Sequence, residues 1–173
     1  MRIVLWLLFV SYAFASNLIE LFNKQYYSYI CLHRWEFINK YKNDEKLLSL
    51  VAYACLKKRY LTPAIDLAKV LRRTPSGRVN SSYITTLFFM KILLERYIKD
   101  KYDIQNITLP YLNNSLLSKV FFLTQEQLPK VKDDSFWVKD KKKKYKVVFD
   151  EKLNNLFIFI YENDKLLKKE RYW

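Results

Sequence analysis

An α+β fold is predicted, with N-terminal antiparallel α-helical hairpins followed by a small C-terminal antiparallel β-meander. Two patterns carry this expectation. Up to Leu123 apolar residues recur at three and four positions, and beyond Ser135 they alternate. A symmetry adds a third observation: Cys31 lies twelve positions before Asn43 and Cys55 twelve after it, with Asn43-Asp44 in a polar run between two helical patterns. At about 1.5 Å of rise per residue, antiparallel helices leaving that turn bring both sulfurs to one height, roughly 18 Å from it. The expected units are a signal sequence at 1–15, a helical repeat-like domain at 16–123, a linker at 124–135 and the meander at 136–173.

The start justifies the first of these. Arg2, an apolar run over 3–10 and the small-x-small pattern Ala13-Phe14-Ala15 have the layout of a secretory signal cleaved after Ala15. The alternative, an uncleaved anchor, needs about 20 apolar residues to span a bilayer, more than this run offers. Asn17 with Glu20 resembles a capping box for a short helix over 18–22. A second helix is expected over 27–41, carrying Cys31 on its apolar side, and a third over 44–59, carrying Cys55. Thr62 caps a fourth helix with Pro63 at its first position, and Thr74-Pro75-Ser76-Gly77 reads as the turn that ends it. Ser81 or Ser82 then caps a fifth helix over 83–99, apolar on nearly all sides and expected at the centre. Asn113 or Asn114 caps a sixth, ending at Leu123. Short strands are expected at 136–138, 145–149, 156–161 and 166–173.

Length and composition allow one domain, or one with a small appendage: 173 residues, 51% hydrophobic and 17% aromatic. With only two cysteines one intramolecular pairing exists, and export favours Cys31–Cys55 as a disulfide over two buried thiols. The net charge of +14 suits anionic partners, and it also fits the Lys, Asn, Ile and Tyr excess of an AT-rich genome.

The segment 48–75 resembles a degenerate tetratricopeptide repeat. Ala52 and Ala54 supply small residues in its first helix, Tyr60-Leu61-Thr62-Pro63-Ala64-Ile65 resembles the family's aromatic-x-x-Ala-Ile run, and Pro75 stands near its closing proline. Leu48, Ala52 and Arg59 replace the family's tryptophan and two glycines. Together with Tyr53-Ala54-Cys55-Leu56-Lys57 and the ending Arg171-Tyr172-Trp173, the chain is similar to small periplasmic proteins of Campylobacter-like bacteria, a group with no assigned activity. The resemblance implies a periplasmic protein whose helical repeats face other proteins.

No catalytic, cofactor or metal motif emerges. His33, the single histidine, lies two positions from Cys31, which on a helix points elsewhere. One glycine in the chain rules out a Gly-rich phosphate loop, and two cysteines with one histidine do not make a four-ligand zinc site. The chain is therefore expected to be no enzyme, with an enzyme kept only as a remote alternative, to need no cofactor and to take no small-molecule substrate. An exported interaction or assembly module is expected, partnered by another envelope protein and not membrane-spanning after signal cleavage. Phe157, Phe159, Tyr161 and Trp173 form its candidate partner surface, because strand 156–161 is apolar on both faces. The alternative is an anionic polymer (cell-wall glycan, lipopolysaccharide or DNA) held by Lys139, Lys141, Lys142, Lys143 and Lys144 beside Trp137.

Overall fold

A computed structural model describes residues 18–173. Among these, seven helices precede a four-stranded antiparallel sheet, the architecture read from the sequence. The expected signal at 1–15, its cleavage after Ala15 and the Asn17 cap lie outside the described residues.

Helix α1 (Leu18–Asn23) closes on Gln25 in the left-handed region, with Tyr26 N–H returning to the Leu21 carbonyl at 3.0 Å. The expected second helix is two, α2 (Tyr27–Leu32) and α3 (Arg34–Lys40), broken at His33. The break turns α3 so that Phe37 and Ile38 are buried and the Arg34 guanidinium reaches Asp66 at 2.8 Å. Helix α4 (Glu45–Lys57) starts where expected, the Asp44 side chain accepting from Lys46 and Leu47 N–H. Cys31 and Cys55, both fully buried, are joined as a disulfide with Cα atoms 4.9 Å apart, inside the roughly 4.4–6.8 Å window such bonds need.

The next two helix starts differ from expectation. Helix α5 (Leu61–Val70) has no side-chain cap; the N–H groups of Leu61 and Thr62 donate instead to the backbone oxygen of Trp173, at 2.7 and 3.0 Å. Thr62 and Pro63 therefore lie just inside the helix, where Pro63 still lacks an N–H that nothing requires. Helix α6 (Pro75–Lys99) begins well before residue 83, because Thr74-Pro75-Ser76-Gly77 is its cap and not a terminating turn. Thr74 Oγ1 accepts from Gly77 N–H at 3.0 Å with Pro75 at the first helical position. Ser81, expected as a cap, instead donates its hydroxyl to the Ala68 carbonyl on α5. Nor is α6 buried all round: Phe89 is 43% exposed.

The only glycine has a packing role at this start. The Glu45 carboxylate accepts from the backbone N–H groups of Arg72, Arg73 and Thr74 and from the Thr74 hydroxyl, all at 2.5–2.8 Å. A Cβ on Gly77 would overlap Glu45 Oε2. These donors, the Thr74 hydroxyl first, hold Glu45 at about 2, below the 4.5 of an unfolded glutamate. A depressed carboxylate stabilises fully above its unfolded value and loses that contribution as pH falls through its folded one. We expect Glu45→Gln to flatten the acid limb of stability between pH 4.5 and 2, and Gly77→Ala to cost about 1–3 kcal/mol by overpacking, both read by denaturant melts across pH.

Helix α7 (Leu116–Gln127) is capped by Ser115, not Asn113 or Asn114; Asn114 takes the left-handed turn before it. It runs to Gln127, into the segment expected as linker. Strands β1 (Ser135–Asp140), β2 (Lys143–Asp150), β3 (Asn155–Glu162) and β4 (Lys165–Tyr172) follow in simple up-and-down order.

Two cores result. One lies among α1–α5 around the disulfide, with Leu48, Val51, Leu67 and Ile84. The other lies between the sheet and the helices, where Phe136, Val138, Val147, Leu156 and Ile158 pack with Leu87, Met90 and Leu94 of α6 and with Leu117, Val120 and Phe121 of α7. Helix α6, about 37 Å long at 25 residues, serves the first core with Ile84 and the second with Leu87 onward. Among the described residues the sheet thus has one covered face and one open face.

Candidate functional site: the outer face of the sheet

The register builds the open face row by row. Phe157 pairs with Val148 and Arg171; Phe159 with Lys146 and Lys169, Lys146 being also opposite Trp137; Tyr161 with Lys144 and Leu166, Lys144 being also opposite Lys139. Neighbours two apart on a strand share a face, so aromatic rings run along β3 with cations on both flanks. Trp137 on β1 is 44% exposed, and its ring lies 5.2 Å from that of Tyr161. Lys169 Nζ sits over Phe157 at 4.3 Å and Phe159 at 5.0 Å, and Lys146 Nζ over Trp137 at 5.9 Å. Cation–π attraction holds these ammonium groups against the rings, and among the described residues neither lysine has a carboxylate within ion-pair distance.

The two candidate surfaces read from the sequence therefore converge. Phe157, Phe159, Tyr161 and Trp137, with Lys139 and Lys144, occupy one face. Lys141 and Lys142 form the β1–β2 turn, beside Lys143 at the start of β2. Of these five lysines only Lys144 forms an ion pair among the described residues, with exposed Asp164 at 2.6 Å.

Trp173 does not join the face. Its ring packs edge-on against Tyr60, with centroids 4.8 Å apart. Its N–H donates to the Arg59 carbonyl at 3.0 Å while its oxygen caps α5. The β4 edge near Trp173 is thereby occupied. The β1 edge is closed at one point too, because the Gln127 side-chain amide both donates to and accepts from the Lys139 backbone.

Where the sheet meets the helices, a cleft of about 350 Å³ is lined by Lys57, Lys58, Arg59, Lys168, Lys169 and Arg171, with Tyr60 and Glu170. By register Lys168 and Glu170 lie on the inner side of β4, and Lys169 and Arg171 on the outer. The cleft thus wraps the strand edge and opens onto the aromatic face. Glu170 organises it. Burial pushes its carboxyl up, but hydrogen bonds from Arg59, Lys168 and Tyr172 outweigh this and bring it to about 2. The Arg59 guanidinium clamps it with two bonds at 2.8 and 2.9 Å, and the Tyr172 hydroxyl donates at 2.7 Å. Arg59 itself has φ 57, the conformation a glycine adopts most readily at a helix end. Tyr60 N–H bonds back to Cys55 O and Arg59 N–H to Leu56 O, so the α4 terminus is a Schellman turn without glycine.

Compared with family models, curated proteins and solved structures, the chain matches none. Its function must be argued from the geometry. A groove of about 620 Å³ between α4, α6 and the start of α7 is lined by Tyr53, Leu56, Arg59, Tyr83, Leu116 and Tyr172, among others. Among the described residues no carboxylate, histidine or thiol lines it. Among the described residues no three His, Cys, Asp or Glu side chains converge, and no helix is long and apolar enough to cross a membrane. His33 stacks on Tyr29 with its Nδ1 3.0 Å from that residue's carbonyl, and Cys31 is taken up in the disulfide.

The sequence reading missed Lys146, Lys169 and Arg171 on the face and Lys57, Lys58 and Lys168 in the cleft. A signal was present for the first three, since Lys144-x-Lys146 and Lys169-x-Arg171 have the two-residue spacing of a single face. What was lacking was the register that sets them beside Phe157 and Phe159.

Proposed function

We propose that this chain is an exported, non-enzymatic interaction module, of helical-repeat type in its N-terminal part, whose working surface is the outer face of its sheet. The observation that carries the proposal is the row of Phe157, Phe159 and Tyr161 with Trp137 on a face that no other described element covers. Rings buried on binding are the usual anchors of protein contacts. The disulfide supports an oxidising, periplasmic-type compartment, and a partner in the envelope follows from that address. Anionic polymer is the second reading, favoured by one observation: the cations on this face are set in register with the rings and largely lack acidic partners. The proposal is tested by crosslinking in native envelope. Phe159→Asp should leave the protein folded and remove a crosslinked species present with the unsubstituted chain; an unchanged crosslink pattern would move the surface to the helices.

A further inference from the structure

Resting on the second of these readings, we infer that the outer face and the cleft it opens into bind single-stranded nucleic acid. Successive rows on the face are two residues apart, a step of about 6.8 Å, and each row carries at least one ring and at least one cation: Phe157 with Arg171, Phe159 and Trp137 with Lys146 and Lys169, Tyr161 with Lys139 and Lys144. A ligand that offers one planar ring and one negative charge per repeat unit matches this row for row. A nucleotide does, through its base and its phosphate. An acidic peptide offers charge without a ring at each step, and needs no aromatic row.

The strand must be single, because stacking on side-chain rings requires bases that are free of a duplex. The cleft extends the path for the backbone. Lys169 and Arg171 lead off the face into the pocket that also contains Lys57 and Lys58, so phosphates beyond the rings meet a second group of cations; Lys168, in the same pocket, is paired with Glu170 at 2.6 Å. Arg59 is committed to Glu170 and sets the shape of the cleft without offering a free charge. At the other end, Lys141 and Lys142 in the β1–β2 turn continue the positive surface past Tyr161.

The experiment is fluorescence anisotropy of the purified protein with a labelled dT12 oligonucleotide over a salt series. Binding is expected at low salt, with log K falling linearly against log salt. Trp137→Ala and Phe159→Ala should each weaken binding on the order of tenfold while leaving the slope unchanged, because they remove stacking and not charge. Phe159→Tyr, which keeps the ring, should bind as the parent does. Lys146→Gln and Lys169→Gln should each reduce the slope by about 0.7, one phosphate contact on a single strand. Absence of dT12 binding at low salt would overturn the inference. So would equal binding of heparin or polyglutamate with inert ring substitutions, which would give the face to a glycan or an acidic protein. Neither result touches the crosslinking test of the surface itself.

Discussion

Ile158→Asp should unfold the protein, while Phe159→Asp, one residue along the same strand, should leave it folded. Ile158 is completely buried between the sheet and helices α6 and α7. A carboxylate there would face Glu170, its cross-strand neighbour, whose cations Arg59 and Lys168 are already engaged, and the lost burial adds to the cost. Together these reach about 4 kcal/mol or more, a large part of the roughly 5–15 kcal/mol by which a domain is stable. Phe159 points the other way, half exposed, with Lys169 over its ring. An aspartate there loses a cross-strand contact worth about 0.2–1 kcal/mol and faces two lysines at the same level of the sheet. Thermal melts and far-UV circular dichroism of the two variants check this. Equal loss of structure in both would mean that the open face is covered in the folded protein.

Removing the disulfide should produce the next largest loss. The bond closes a loop with a sequence separation of 24, which on the chain-entropy account stabilises by about 3.5 kcal/mol. Both sulfurs are in the core formed by α1–α5. The second core, where the sheet meets α6 and α7, contains neither cysteine. In a Cys31→Ala, Cys55→Ala double variant, the α1–α3 region should therefore lose amide protection before the sheet does. Hydrogen exchange resolves the order; simultaneous loss in both regions would show that the two cores unfold as one.

The fold was legible where periodicity is strong. The switch from a period near 3.6 to a period of 2 after Ser135 located the sheet, and all four strands fall within a few residues of the expected runs. The equal spacing of Cys31 and Cys55 about Asn43 located the disulfide, although α3 intervenes and the pair is formed by α2 and α4. Helix starts were less legible, because a Thr-Pro pair serves both turns and caps. At Thr74-Pro75 the deciding contact is Glu45, almost thirty residues away, and at Leu61 it is the backbone of Trp173. No local pattern encodes either.

The candidate site was half legible. Alternation along β3 gave Phe157, Phe159 and Tyr161 a face of their own, and the lysine run was plain. That the two lie on one surface depends on the pairing of β2 with both neighbours, which sets Lys146 beside Trp137 and Phe159. The cleft was not legible, since its cations come from residues 57–59 and 168–171 and meet only because Arg59 grips Glu170. Trp173, expected within the last strand and on the partner surface, lies just past β4, where its backbone closes the junction with α5.

The most direct test of the outer face as the working surface is site-specific photocrosslinking in native envelope. A photoreactive aromatic residue replaces Phe159 in one variant and Trp35, an exposed aromatic on helix α3, in another. The account predicts adducts of defined mass from position 159 and none from position 35. Adducts from position 35 with none from position 159 would contradict it and place the working surface on the helices.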